Sequence, residues 1–352
     1  MQSTFPRALR NAGAALVAVA MLAGSALAHP KAAAPARAGA GLAVPLLPPP
    51  IFVLNSLEAN ISVIDPVSHT EVRRIPTGKE PHHLYLAPDE KSLLVANALS
   101  DSITLIDPRT GALQREIKGI ADPYHLRFSP DMKWLVTAAN RLNHVDIYRW
   151  QPLEAEPMKL EARIAAPRTP SHLQIDTQSS VIYASLQDSD EILAIDIATR
   201  KPRWKIPVGK MPADLYLSPD DRLLMVGLTG DKVVEVYDVS LPQPKLVKRI
   251  TTGAGAHAFR AVGDLRHVLV SNRVANTISK IDIQTLSVVA QYPAPGGPDC
   301  MELSADGKLL YVSSRWARKL TVIDTEQRTV VRQIAVGRSP HGVWTLDHAG
   351  RR

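Results

Sequence analysis

The 352 residues carry 41 lysines and arginines against 34 acids, a formal net charge of +7, with 45% hydrophobic residues and one cysteine. A single cysteine excludes an internal disulfide, so stability must come from buried apolar surface, and a chain of this length can enclose a large core. Arg7, Arg10, Lys31 and Arg37 precede residue 51 with no acid among them, so 51–352 keeps only +3, which makes nucleic acid an unexpected partner.

In chain order the first feature is an export signal. Arg7 and Arg10 precede an apolar stretch over 12–24, and Ser25-Ala26-Leu27-Ala28 supplies small residues at a cleavage site. The pattern predicts a secretory signal peptide over 1–28, cleaved after Ala28, and the apolar stretch is too short to span a bilayer. No later run is long and apolar enough for a membrane span. The mature chain is expected to be periplasmic or secreted, and a monomer. Residues 29–50 are rich in Ala, Pro and Gly and read as an extended linker.

From Ile51 the chain is repetitive. The unit PHHLYLAPDEKSLLVANALSDSITLIDPRTGALQREI begins at Pro81, and related units begin at Pro123, Pro170, Pro212, Gly255 and Pro298. The seventh is split: Pro340 opens its first strand, and 51–75 supplies what should follow. Each unit holds four short runs of β-branched and aliphatic residues, separated by turn chemistry such as Ser-Pro-Asp at 129–131 and 218–220. The 3.6-residue period of a helix is missing. Four strands at spacings of roughly 41–48 residues predict an all-β fold, a seven-bladed β-propeller over 51–352 with four-stranded antiparallel blades. Strands from both ends share one blade, which hides sheet edges. Asp65, Asp107, Asp196, Asp238, Asp282 and Asp324 end third strands and read as turn formers, not as a catalytic series.

These units resemble the YVTN repeat of YncE-like proteins, whose consensus is close to P-x-G-V-A-V-S-P-D-G-x-x-x-Y-V-T-N followed by V-S-V-I-D. The resemblance covers 51–348 and implies the fold, which by itself carries no function. It groups the chain by fold with the haem-binding propeller of periplasmic nitrite reductases, the copper-binding propeller of nitrous oxide reductase, and lactonases.

One position departs from that consensus. Two residues after the Pro or Gly that opens each unit, the family has glycine. Gly342 keeps it, while His83, His125, His172, Asp214, His257 and Cys300 replace it. One position earlier stand His82, Asp299 and His341, so six of the eleven histidines fall on one recurring place. Equivalent residues of a propeller ring its axis, so these side chains are expected to line the mouth of a central channel. Imidazole suits copper, iron or zinc, and a thiol favours softer ions. His83, His125, His172, His257 and Cys300 are therefore the expected metal set. Loops between second and third strands share that face and carry Arg141, Arg273, Arg315 and Arg318, with Trp316 beside them. Guanidinium forks grip carboxylates and phosphates. With His82, His341 and Asp214 they form the expected site for a small anionic ligand, including a tetrapyrrole that bears propionates. Each residue also has a plainer reading: a histidine bonding a backbone carbonyl, a packed thiol, a solvated arginine.

No C-x-x-C-H is present, which excludes covalent c-type haem, and H-E-x-x-H, G-x-S-x-G and the phosphate-binding loop are missing too. The expected function is an exported binding propeller whose His-rich mouth holds a metal, cofactor or small anionic ligand, in electron transfer or cofactor handling. One alternative is a scaffold for a periplasmic protein partner. The other is a lyase or lactonase using a mouth histidine as base beside Glu302 or Asp214; no catalytic residue is assigned.

Overall fold

The computed structural model describes residues 48–351. The expected signal peptide over 1–28 and linker residues 29–47 lie outside the described residues. Within them, 28 strands form seven four-stranded antiparallel sheets, with one short 3₁₀ turn at Ala98–Ser100. No helix among the described residues is long and apolar enough to cross a membrane.

Blade 1 comprises Pro81–Leu86, Leu93–Asn97, Ser102–Ile106 and Leu113–Lys118, paired in that order. Blades 2 to 6 repeat it, with inner strands Pro123–Phe128, Pro170–Ile175, Pro212–Leu217, Ala256–Ala261 and Pro298–Leu303. Blade 7 joins Pro340–Thr345 to Ile51–Asn55, Asn60–Asp65 and Thr70–Pro76. Ile51 pairs with Thr345 and Phe52 with Trp344, whose rings stack at 6.2 Å. The ring is closed as the split repeat predicts.

The core is divided into layers. An apolar cluster fills the gap between each adjacent pair of blades. Val136 and Ile147 of blade 2 meet Leu173 and Ile195 of blade 3, and Phe52 and Ile61 of blade 7 meet Leu93 and Ile106 of blade 1. Strands covered on both faces read as nearly continuous Val, Ile and Leu. The outermost strands lack a second cover; Thr70–Pro76 fully buries only Ile75. The Ser-Pro-Asp turns close as expected: the Ser129 hydroxyl donates to Asp131 Oδ1 at 2.6 Å and accepts from Trp134 N at 3.0 Å. The third-strand aspartates cap turns, with Asp107 Oδ1 accepting from the backbone N–H groups of Arg109 and Thr110, both at 2.8 Å.

One irregularity positions the site. Pro81 pairs with Asn97 and Leu84 with Val95, which leaves His82 and His83 opposite Ala96 alone. The same bulge follows Pro123, Pro170, Pro212, Ala256, Pro298 and Pro340. A bulge breaks the alternation of a strand and re-aims its side chains.

This register corrects one expectation. Ala256, not Gly255, pairs with Asn272 and stands where the other blades have proline. The residue before each opening position has a positive φ in every blade, from 45° at Asp122 to 81° at Gly255. Glycine favours that conformation, so Gly255 marks the preceding turn. His257 is therefore the first bulge residue of its blade and Ala258 the second. The recurring set separates into two tiers. The first holds His82, Tyr124, His257, Asp299 and His341, and the second holds His83, His125, His172, Asp214 and Cys300. Gly342 keeps glycine because a Cβ there would lie 2.9 Å from Leu54 Cδ1 and 3.1 Å from the His82 carbonyl oxygen.

Candidate functional site

The first tier closes the axis. His82, His257, Asp299 and His341 are at most 3% exposed, so the face expected to be an open mouth is plugged. His82 lies between Tyr124 and His341, with ring centroids 3.9 and 3.6 Å away. His341 Nδ1 is 2.8 Å from the His82 carbonyl oxygen. A carbonyl can only accept, so Nδ1 carries the proton and Nε2 keeps its lone pair. Burial holds the His341 imidazole well below its ordinary pKa; Asp299 pulls it back up too weakly to offset this, and Arg315 adds to the depression.

Asp299 is the anion of this tier. Arg273 Nη2 lies 2.7 Å from Oδ1 and Arg315 Nη1 3.0 Å from Oδ2. His257 Nε2 is 3.0 Å and His341 Nε2 3.5 Å from Oδ1. Burial pushes the carboxyl upward, but His341, Arg273 and His257 outweigh it and hold it well below the usual range.

The second tier is a triangle of imidazoles. His83, His125 and His172 have ring centroids 4.5, 5.1 and 5.0 Å apart. Burial holds His82, His83, His125 and His172 below the ordinary histidine pKa, and His257 falls to about 3. All are neutral near pH 7, the form that binds metal. Cys300 Sγ is 3.6 Å from His341 Nδ1. Burial first, then Asp299 and Asp214, raise its thiol well above the usual value, so it stays protonated and weakly nucleophilic. Asp214 accepts from the backbone N–H groups of Leu215 and Phe259, both at 2.8 Å.

Several imidazole nitrogens have no partner. His82 Nδ1, His83 Nε2, His125 Nδ1, His172 Nε2 and His341 Nε2 are buried without a hydrogen bond. Buried polar atoms are ordinarily satisfied. Ligand atoms of His82, His83 and His341 lie within 4.8 Å of one another, as do those of His257, Asp299 and His341. An ion bound at about 2.1 Å by tetrahedral nitrogens holds them roughly 3.4 Å apart, so modest ring rotations would close the first set.

The second tier floors a cavity of about 380 Å³ that extends along the axis to the Ser-Pro-Asp turns of the opposite face. That volume falls within the range of small-ligand sites. Tyr85, Arg127, Tyr216, Arg260 and Glu302 line it. Arg127 Nε donates to the Leu173 carbonyl at 2.9 Å, and its guanidinium stands 5.8 Å from the Tyr85 ring centroid. Arg260 donates to Glu302 at 2.6 Å and to the Ala349 carbonyl at 2.7 Å, while Arg351 bonds the second Glu302 oxygen. These contacts fasten the 349–351 segment beside the channel. Arg127, Arg260 and Glu302 all sit four residues after their opening position, a recurrence that comparing this register across units would have exposed.

The arginines expected to receive a ligand are mostly committed. Arg273 and Arg315 hold Asp299. Arg141 Nη2 donates to Asp122 at 3.0 Å and to the Ala98 carbonyl at 2.7 Å. Arg318 is exposed and forms no ion pair among the described residues. Trp316 is exposed too. Internal carboxylates thus take up the guanidiniums foreseen for the propionates of a tetrapyrrole.

A family model described as a YNCE-like beta-propeller matches residues 6–351. The protein YncE of Salmonella typhimurium is 30% identical over 166 residues, 46% of this chain and 46% of that protein. The chain spans about half the length of the curated relatives it matches. The periplasmic gluconolactonase PpgL of Pseudomonas aeruginosa has a TM-score of 0.71 at 19% identity, covering 84% of this chain and 98% of that one. The dihydro-heme d1 dehydrogenase NirN has a TM-score of 0.63 at 16% identity, covering 84% and 74%. Likeness at these identities concerns the fold alone.

Proposed function

The chain belongs to the YNCE-like β-propeller family, and within that family we propose that it binds a transition-metal ion on the propeller axis. One observation carries the reading: buried ring nitrogens of His82, His83 and His341 lie within 4.8 Å of one another, and His82 Nδ1 and His83 Nε2 have no hydrogen-bond partner. Neutral imidazoles in such a set suit copper, zinc or iron. The His82 carbonyl fixes the His341 tautomer, as outer partners of metal-bound histidines do. Two guanidiniums already balance Asp299, which favours the all-imidazole set over the one that includes this carboxylate. His83 also belongs to the floor of the channel, so a small ligand entering from the Ser-Pro-Asp face reaches the ion there. With the export signal expected over 1–28, the site would serve metal handling or electron transfer outside the cytoplasm.

The test uses protein stripped with a chelator, reloaded separately with zinc and copper, desalted and assayed for metal. The expected result is retention of a single ion, lost in His83→Ala/His341→Ala and kept in Asp214→Asn. Equal metal content in the double variant and the parent would defeat the proposal.

A further inference from the structure

The plugged face carries a second feature, independent of the metal reading. Loops between second and third strands present one large apolar side chain each on five successive blades: Val274, Trp316, Leu57, Leu99 and Leu142. All are between 51% and 64% exposed. The equivalent loops of blades 3 and 4 carry Asp188, Asp190 and Asp231 instead. The apolar tips form an arc on one face, and the acids occupy its gap. Five such side chains recurring at one loop position on one face depart from the random scatter of ordinary surface hydrophobics.

The tips are held rigidly. Their backbone N–H groups donate to the turn leading into the same blade: Leu57 to Arg338 O at 3.3 Å, Leu99 to Lys79 O at 3.2 Å, Val274 to Ala254 O at 3.0 Å and Trp316 to Gly296 O at 2.9 Å. The Trp316 ring rests on Gly297, where φ is +71° and a Cβ would lie 2.5 Å from Trp316 Cδ2. Little conformational entropy remains to be lost on docking. Lys79 and Arg318 are exposed along the arc and form no ion pair among the described residues.

We propose that this face docks on a lipid surface bearing anionic headgroups, with the five tips entering the interfacial layer. The charge pattern matches: Lys79 and Arg318 stand beside the tips without a counter-ion, whereas Glu58 next to Leu57 is neutralised by Arg74 and Arg338, and Asp101 beyond Leu99 accepts from the Asp122 backbone N–H. A folded protein partner needs a continuous complementary patch of about 800 Å², whereas these side chains stand singly on separate turns. A fluid interface accepts separate insertions, places tryptophan at headgroup level and attracts Lys and Arg. Docked this way, the protein keeps the open end of its channel toward solvent.

Co-sedimentation with vesicles of phosphatidylcholine, with and without phosphatidylglycerol, tests the proposal. The full chain should bind the mixed vesicles and release as salt rises. The triple variant Leu57→Ser/Leu99→Ser/Trp316→Ser should partition at least about tenfold more weakly. Lys79→Glu/Arg318→Glu should lose binding to the anionic vesicles and leave any binding to phosphatidylcholine alone unchanged. Near-UV circular dichroism and the thermal midpoint, unaltered in both variants, would show that the fold survives. Failure of the full chain to sediment with mixed vesicles overturns the proposal, and so does equal binding by the triple variant. Self-association or capture of a protein that the triple variant abolishes, without vesicle binding, would assign the face to a protein interface instead.

Discussion

Asp299 is the one charge on which two half-buried arginines depend. Asp299→Asn leaves Arg273 and Arg315 side by side without a counter-ion. Removing one member of a buried ion pair costs about 3–5 kcal/mol. The arginine side chains are 17% and 27% exposed, so water offsets some of this, and a loss of about 3 kcal/mol is expected. A lowered urea midpoint at unchanged slope is the measurement. The six axial histidines set the acid response. Each has a folded pKa below the unfolded value of about 6.5. Above that pH both states are neutral there, and the histidines are silent. Below it the unfolded chain takes up protons that the folded core refuses, so stability falls with pH. The slope is about 1.4 kcal/mol per pH unit for each histidine. Asp299, depressed instead, contributes stability that is lost only below its unfolded value of about 3.9. Metal-free protein should therefore lose thermal stability steeply between about pH 6.5 and 5; a flat Tm across that window would contradict the buried neutral assignment. The histidines were legible in the sequence because they recur at two adjacent positions of the repeat, and His83, His125 and His172 replace a consensus glycine. Glu302 was legible as a carboxylate near a mouth histidine, but its bond to Arg260, and the place of Arg127 at the same level, were not, because that level emerges only once the bulge register is known. The pairing of Arg273 and Arg315 with Asp299 was hidden too: it joins tip loops of the consecutive blades 5 and 6 to the first bulge residue of blade 6, a contact set by how neighbouring blades stack.

The bulge is the element that converts a strand into a site. It allows His82 and His83, adjacent in sequence, both to reach the axis, which an unbroken strand would forbid. Its cost in space appears at Gly342. The new methyl of Gly342→Ala would press on Leu54 and on the His82 carbonyl that orients His341. Overpacking of this kind typically costs about 1–3 kcal/mol. The variant should show a lower Tm together with weaker metal retention, whereas Gly307→Ala, at an open turn, should lower Tm without touching metal content. Strands and turns were readable because their chemistry is local: a serine, a proline and an aspartate suffice. The blade 5 register was misread because Gly255 and proline both punctuate the chain, and only the pairing of Ala256 with Asn272 separates them.

At the scale of the molecule, seven blades stack through seven apolar layers, and none is complete without both neighbours. Truncation after Ser339 removes Pro340–Thr345 and leaves Ile51–Asn55 with an unpaired edge, its Phe52 stripped of Trp344. An open edge of that kind invites association. The truncated chain should elute as aggregates on gel filtration and lack a cooperative transition in calorimetry. Blade number was legible because the two partial repeats add up to one. Which end of the channel is open was not. The repeat says which side chains share a level, and only their sizes in three dimensions show that they meet and seal it.

The pairing of Ile51 with Thr345 also sets a schedule. Three strands of blade 7 are complete at Pro76, and the fourth begins only at Pro340. At roughly 5–20 residues per second the interval is on the order of tens of seconds. Throughout it the early strands wait as an unfinished sheet, and six blades can form before the ring has any means of locking. Any machinery that threads polypeptide unfolded would thus meet a chain that postpones its own completion until the locking strand arrives.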